Sequence, residues 1–290
     1  MPRTVADSEK SDHLDVTAPH AADGVQSRSF TLTMLGQRRI LVALGSIAVT
    51  LILWNVATDV THWIGPLQLP GPFAVLRRLR VLFVRPYLQH TLWGHAAASV
   101  QVVMLGWLVA GLIGAPAGIL MAWSRRFRSL TFPVFQLLRP ISPIAWIPLS
   151  ITWLGIDERA RVFIVFIAAV VPWVLNSMEA VRSVDPLLVR AARTLGANSF
   201  ETLRSVVLPA GLPTLLGGAR IALGNAWTAV IAAELLAATS GLGFVALTAG
   251  SNLDSTTTVA AMIVIGAIGL LLSTIMRRVV RFSAPWAKGL

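Results

Sequence analysis

Six apolar runs alternate with short polar turns along this chain: residues 40–57, 92–123, 130–154, 162–181, 212–238 and 259–276. Each is long enough to cross a bilayer as a helix, the first with no length to spare at about 18 residues. The run at 92–123 is the longest and must tilt, bend or protrude. Its Gly106, Gly111, Gly114 and Gly118 include a G-x-x-x-G spacing, which either admits a close helix neighbour or is a set of lipid-facing small residues. The third run is interrupted by Pro140, Pro143 and Pro148, which free backbone carbonyls that neighbours or a wet cavity must satisfy. Between the first two runs, residues 73–84 carry Arg77, Arg78 and Arg80, a pattern that predicts an amphipathic interfacial helix. The pattern therefore predicts an all-α membrane protein of about six transmembrane helices, with both termini on one side.

Four regions follow from this pattern. Residues 1–38 mix Pro, Ser, His and acids ahead of Arg38-Arg39, with no apolar core of a signal peptide, and are expected to be a disordered cytoplasmic tail. Residues 39–90 hold the first span and the interfacial segment, 91–281 the core spans, and 282–290 a short cytoplasmic tail. Basic clusters at Arg38-Arg39, Arg125-Arg126 with Arg128, Arg190 with Arg193, and Arg277-Arg278 with Arg281 mark one side as cytoplasmic. The arginines between 77 and 85 fall on the other side and oppose that assignment.

One polar stretch, 185–209, is unusually well punctuated. Asp185-Pro186 starts a helix, an acid at the N-cap before proline at the first helical position. Gly196 ends it. Asn198 caps a second helix with Glu201 three residues on, a variant of the capping box, and Pro209 is expected to end that helix.

Composition narrows the class. With 55% hydrophobic and 13% charged residues, the chain carries more apolar surface than a soluble domain of 290 residues hides. The net charge of +11 lies in short clusters between apolar runs, which fits anchoring at a membrane and not a nucleic-acid face. The absence of cysteine excludes disulfides and thiolate metal sites. The only lysines, Lys10 and Lys288, follow no G-x-x-x-x-G, so this chain has no P-loop; transport driven by ATP requires a partner to hydrolyse it. All five histidines (His13, His20, His62, His90 and His95) precede the core spans or start one, which leaves no H-E-x-x-H and no histidine for a late serine. Neither a catalytic centre nor a metal site is expected.

Charges and polar groups inside the spans are the remaining suspects. Glu234 lies near the outer end of the fifth run, as an interfacial carboxylate paired with an arginine or as an acid lining or gating a path. Glu179 and Arg220 are placed at inner span ends, where snorkelling accounts for them. Arg139, in the proline-broken run, either snorkels inward or faces a polar pathway. Asn225 and Thr228 share one helical face, suited to a polar path or to helix–helix hydrogen bonds. Pro143 and Trp146 complete the set of expected path residues.

The stretch 185–209 resembles the cytoplasmic loop of ABC-importer permeases, whose pattern is E-A-A, three residues, Gly, nine residues, Ile-x-Leu-Pro. Arg190-Ala191-Ala192, Gly196 and Val206-Val207-Leu208-Pro209 stand at the family spacing, with arginine where the family has glutamate. Leu69-Pro70-Gly71-Pro72, Leu138-Arg139-Pro140-Ile141-Ser142-Pro143, Gly155-Ile156-Asp157, Val181-Arg182-Ser183-Val184-Asp185-Pro186 and Ser240-Gly241-Leu242-Gly243 look like the nitrate/sulfonate/taurine-type branch. The resemblance implies the type I importer permease fold in a bacterial plasma (inner) membrane, passing small anions such as alkanesulfonates, taurine, nitrate or bicarbonate. It implies a second permease copy, two copies of a cytoplasmic ATP-binding subunit that holds ATP and Mg, and an extracytoplasmic solute-binding protein. Coupling to the ATPase would fall to Arg190, Ala191, Ala192, Gly196, Ala197, Asn198, Ser199, Phe200, Glu201, Leu208 and Pro209. The alternative is an ion-coupled secondary carrier with Glu234 as the coupling acid, for which inverted repeats with matching broken helices are expected and not seen.

Overall fold

The computed structural model describes residues 42, 44–61 and 63–283, which are helical apart from short connections. The expected N-terminal tail and most of the C-terminal one lie outside these residues. The chain divides into two units, residues 1–56 and 57–290. Helix α1 (Leu44–Val60) begins in the first and is apolar but one of the shorter helices; it ends in a π-helical turn at Val56–Val60.

Among the described residues of the second unit, four helices are long and apolar enough to cross a membrane. They are α3 (Leu92–Trp123), α6 (Glu158–Arg182), a continuous helix Ser199–Leu236, and α11 (Ser255–Ser283). The expected span at 130–154 is not a single rod. It is α4 (Arg125–Leu138) followed by a 3-10 turn at Pro143–Trp146 and α5 (Ile147–Leu154), with the two parts bent by 87°. Pro140 and Pro143 lie in the break: each lacks an N–H, and Ser142 before Pro143 is out of helical backbone at ψ 136°, while Arg139 before Pro140 stays helical.

A second expectation is corrected at Pro209. The helix from Asn198 does not end there but runs α8 (Ser199–Thr202), a π turn at Leu203–Val207, and α9 (Leu208–Ala237) without a gap. The π turn closes on itself through Leu208 N–H donating to the Leu203 carbonyl, so Pro209 falls in a fresh first turn where its missing N–H costs nothing.

Glycines set the core. A Cβ on Gly118 would strike the Val174 carbonyl, one on Gly114 would come within 3.2 Å of the Val170 carbonyl, and one on Gly106 within 3.0 Å of the Val162 carbonyl. The G-x-x-x-G spacing is thus a packing seam, on which α3 and α6 run parallel with their backbones nearly touching. Helix α9 returns antiparallel to both, with Gly211 against the Ala180 carbonyl and Gly218 against Asn176. The Trp107 indole Nε1–H donates to the Ala219 carbonyl at 2.9 Å and fixes their relative height. The turns at 124, at 183–203 and the end of α11 therefore gather at one end; those at 155–157, 238–241 and 252–254 gather at the other.

Helix α2 (Pro72–Val84) buries Val75 and Leu82 and is pinned to the start of α11 by Arg78. Arg78 pairs with Asp254 at 3.0 Å, donates to Thr257 Oγ1 at 2.7 Å, and its guanidinium lies 5.8 Å from the Tyr87 ring centre. One of the arginines that opposed the topology is thus neutralised by a local acid. Burial raises the Asp254 pKa, but hydrogen bonds from Thr257 and the Arg78 charge outweigh it, so the carboxyl sits below its ordinary value of 3.8.

Two outcomes are expected. Gly118→Leu forces α3 and α6 apart at a cost of about 1–3 kcal/mol, read as a lowered Tm of the detergent-solubilised protein. A folded-state pKa held down means the Arg78–Asp254 contribution is fully present above the unfolded value and is lost as pH falls below 3.8 through the folded value. Hydrogen exchange of the α2 amides should therefore be flat from pH 7 to 5, after correction for intrinsic rates, and faster in Asp254→Asn throughout.

Candidate functional site

The end of the molecule that holds the turn at 124 carries the polar loop. Helix α7 (Pro186–Thr194) starts at Asp185, whose carboxylate accepts from Leu187 N–H at 2.8 Å. It stops in a complete glycine C-cap: Gly196 N–H donates to the Arg193 carbonyl and Ala197 N–H to the Ala192 carbonyl. Gly196 has φ +89°, which a side chain makes costly. Asn198 and Glu201 then form a reciprocal capping box, each side chain accepting from the other's backbone N–H at 2.9 Å. The loop is thus rigid at both helix starts and at the turn between them. Its apolar side chains point away from the protein: Leu187 is 67% exposed, Leu195 88% and Phe200 68%, with Arg190 and Ala191 exposed beside them. Ala192, Ala197 and Leu208 are half-buried, and Ser199 and Pro209 exposed.

At the opposite end, Glu234 is fully buried. One carboxylate oxygen accepts from the Ser99 hydroxyl at 2.6 Å, the other from Gly243 N–H at 2.9 Å. Ser99 Oγ in turn accepts from Leu242 N–H at 3.0 Å. His95 Nδ1 accepts from Gly241 N–H at 3.2 Å, while its Nε2 faces the Tyr87 carbonyl at 2.9 Å, which assigns the proton to Nε2. The first amides of α10 (Leu242–Ser251) are therefore satisfied by three side chains from α3 and α9, and a carboxylate sits at the positive end of that short helix. Gly241, at φ +120°, and Gly243 are required because a Cβ at either would collide with Glu234. Arg161, itself buried, donates to the Ser240 carbonyl at 3.1 Å and holds the preceding loop. Sequence reasoning singled out Glu234 but missed His95, Ser99 and Arg161; Ser240-Gly241-Leu242-Gly243 was the other visible trace of the cluster.

The other expected path residues are dispersed. Arg139 is exposed at the C-terminus of α4, in the 87° break. Pro143 and Trp146 form the 3-10 turn, which packs against α6 and α9; the Trp146 ring meets Phe163 edge-on at 6.3 Å. Asn225 and Thr228 are exposed on α9, with the Thr228 hydroxyl donating to the Asn225 carbonyl at 2.9 Å. Among the described residues no hydrogen bond joins Arg139 to Asn225 or Thr228. No group of acids and histidines suited to a metal ion occurs among the described residues either.

Comparisons with known proteins agree with the geometry. Residues 114–289 match the family model of the binding-protein-dependent transport system inner membrane component, more than half of the chain. The chain is 38% identical to the taurine transport system permease protein TauC of Escherichia coli, over 86% of this chain and 90% of that protein. It is 35% identical to the bicarbonate transport system permease protein CmpB of Synechococcus elongatus, over 80% and 85%. It is 30% identical to the putative aliphatic sulfonates transport permease protein SsuC of Bacillus subtilis, over 82% and 85%. Among solved structures, an inward-facing MetNI methionine ABC transporter chain superposes with a TM-score of 0.59 at 19% identity, over 71% of this chain and 98% of that one. Matched by the family model over most of its helical core and by permeases across their length, the chain belongs to the binding-protein-dependent transport system inner membrane component family.

Proposed function

We propose that this chain is the membrane-spanning permease subunit of an ATP-driven importer for a small anionic solute. The rigid loop with outward-facing Leu187, Leu195 and Phe200 is the observation that carries this reading, because it is a preformed surface awaiting a partner. The relatives' names, for taurine, aliphatic sulfonates and bicarbonate, support the solute class. A separate ATPase subunit holds ATP and Mg, two copies of it serve two copies of this chain, and an extracytoplasmic protein delivers the solute. The loop end faces the cytoplasm, in keeping with its arginines at 125, 126, 128, 190, 193, 277, 278 and 281.

In this reading α7 and α8 seat in the ATPase through Arg190, Ala191, Ala192, Gly196, Ala197, Asn198, Ser199, Phe200 and Glu201. Leu208 and Pro209 begin the long helix that carries the displacement inward. Asn225 and Thr228 line the path, with Arg139, Pro143 and Trp146 at the break beside it, and Glu234 holds its outer end. A buried, doubly hydrogen-bonded Glu234 has no exchange with water in this conformation, which disfavours the carrier alternative.

The deciding experiment is purification followed by transport. The chain should bring down an ATPase subunit, and proteoliposomes with the binding protein should take up labelled taurine, ethanesulfonate or bicarbonate only with ATP. Uptake by the isolated chain under a proton gradient without ATP would sink the reading. Gly196→Val strains the turn by about 1–2 kcal/mol; uptake should fall roughly tenfold at normal membrane levels while ATP hydrolysis persists. Glu234→Gln loses one of two acceptor bonds, about 1–3 kcal/mol, and should lower uptake and speed hydrogen exchange at Leu242 and Gly243 while the ATPase still co-purifies.

A further inference from the structure

Helix α9 is covered unequally. Ala222, Ala226 and Val230 are buried against neighbouring helices, whereas Arg220, Ile221, Gly224, Asn225 and Thr228 are exposed. The spacing of the exposed set puts it on a single stripe of the helix. Its depth follows from Gly218, which packs on Asn176, six residues before α6 ends at Arg182, while the Trp107 indole reaches across to the Ala219 carbonyl. Arg220 is therefore about 12 Å of helix, roughly two turns, from the C-terminal end of α6.

Three surroundings are open to such a residue. Lipid is the costliest for arginine, and asparagine beside it adds to the cost. An acid of the same chain does not neutralise it: the ion pair among the described residues is Arg78–Asp254. Direct packing on a second copy would desolvate the guanidinium, which is costly unless an acid of that copy meets it. Water satisfies all of these requirements, and the site where a Gly224 side chain would stand is open space.

We propose that Arg220, with Asn225 and Thr228, forms an anion-selecting stripe within the translocation path, so that the membrane subunit itself discriminates for a small oxyanion such as a sulfonate or carboxylate. This rests on the permease reading above. The guanidinium supplies a fixed charge in a low-dielectric surround, and Asn225 a neutral donor one turn further out. Gly224 keeps the passage between them clear.

The chain has no cysteine, so Asn225→Cys introduces its only thiol. Membranes holding the full transporter are treated with the anionic sulfonatoethyl and the cationic trimethylammonioethyl methanethiosulfonates, and rates are normalised to a free thiol. The anionic reagent should be favoured roughly tenfold; Arg220→Gln should abolish that bias, Arg220→Lys should keep part of it, and added salt should weaken it. A thiol unreactive to both reagents, or a bias unchanged by Arg220→Gln, overturns the proposal. If Arg220→Gln fails to reach the membrane, the salt dependence in the Arg220 background decides: a bias that salt does not weaken overturns it. ATP-driven uptake in the same membranes is scored separately. Uptake with an unbiased thiol rejects the stripe alone, and a biased thiol without a co-purifying ATPase rejects the importer alone.

Discussion

The close approach of α3 to α6 is the constraint on which the rest depends. Gly106, Gly114 and Gly118 let one backbone lie against the carbonyls of another, and in lipid such contact is a chief source of helix adhesion. Because the two helices run parallel, the segment between them must cross back, and it does so as the bent pair α4–α5. Because α9 returns antiparallel in the groove they make, Glu234 arrives beside Ser99, where it clamps the start of α10, and Arg220 follows the Ala219 carbonyl held by Trp107. Clamp and stripe are both consequences of that seam.

Backbone satisfaction is the second constraint. A helix start must find acceptors for its first amides, and one buried in apolar surroundings must find them within the protein. For α7 and α8 the acceptors come from the loop's own Asp185, Asn198 and Glu201, close in sequence, and their spacing alone announces them. For α10 they come from His95, Ser99 and Glu234, separated from it by up to 146 residues. Local capping was therefore legible in the sequence and the long-range cluster was not, although the glycines that make room for Glu234 were conspicuous.

The apolar runs were legible for the same reason. Length and hydropathy mark four of the helices directly, and the glycine spacing foretold the seam. What could not be read was how proline acts in context. Pro140 and Pro143 turn the chain by 87°, whereas Pro209 is absorbed by a π turn and breaks nothing.

That longer helix joins the parts. From Ser199 to Leu236 it is continuous, about 57 Å at the α-helical rise. The capping box stands at its base, Arg220 and Asn225 face outward midway, and Glu234 grips α10 near its tip. A rigid element of this kind moves as one body, so a displacement at the loop reaches the stripe and the clamp together. The π turn at Leu203–Val207 is the one irregular turn along it, and it lies between the loop and the span, where a change of angle alters the push without disturbing either buried end. Under the proposed reading, loop, stripe and clamp are stations on a single lever, through which a chain without a nucleotide site would answer to one held by its partner.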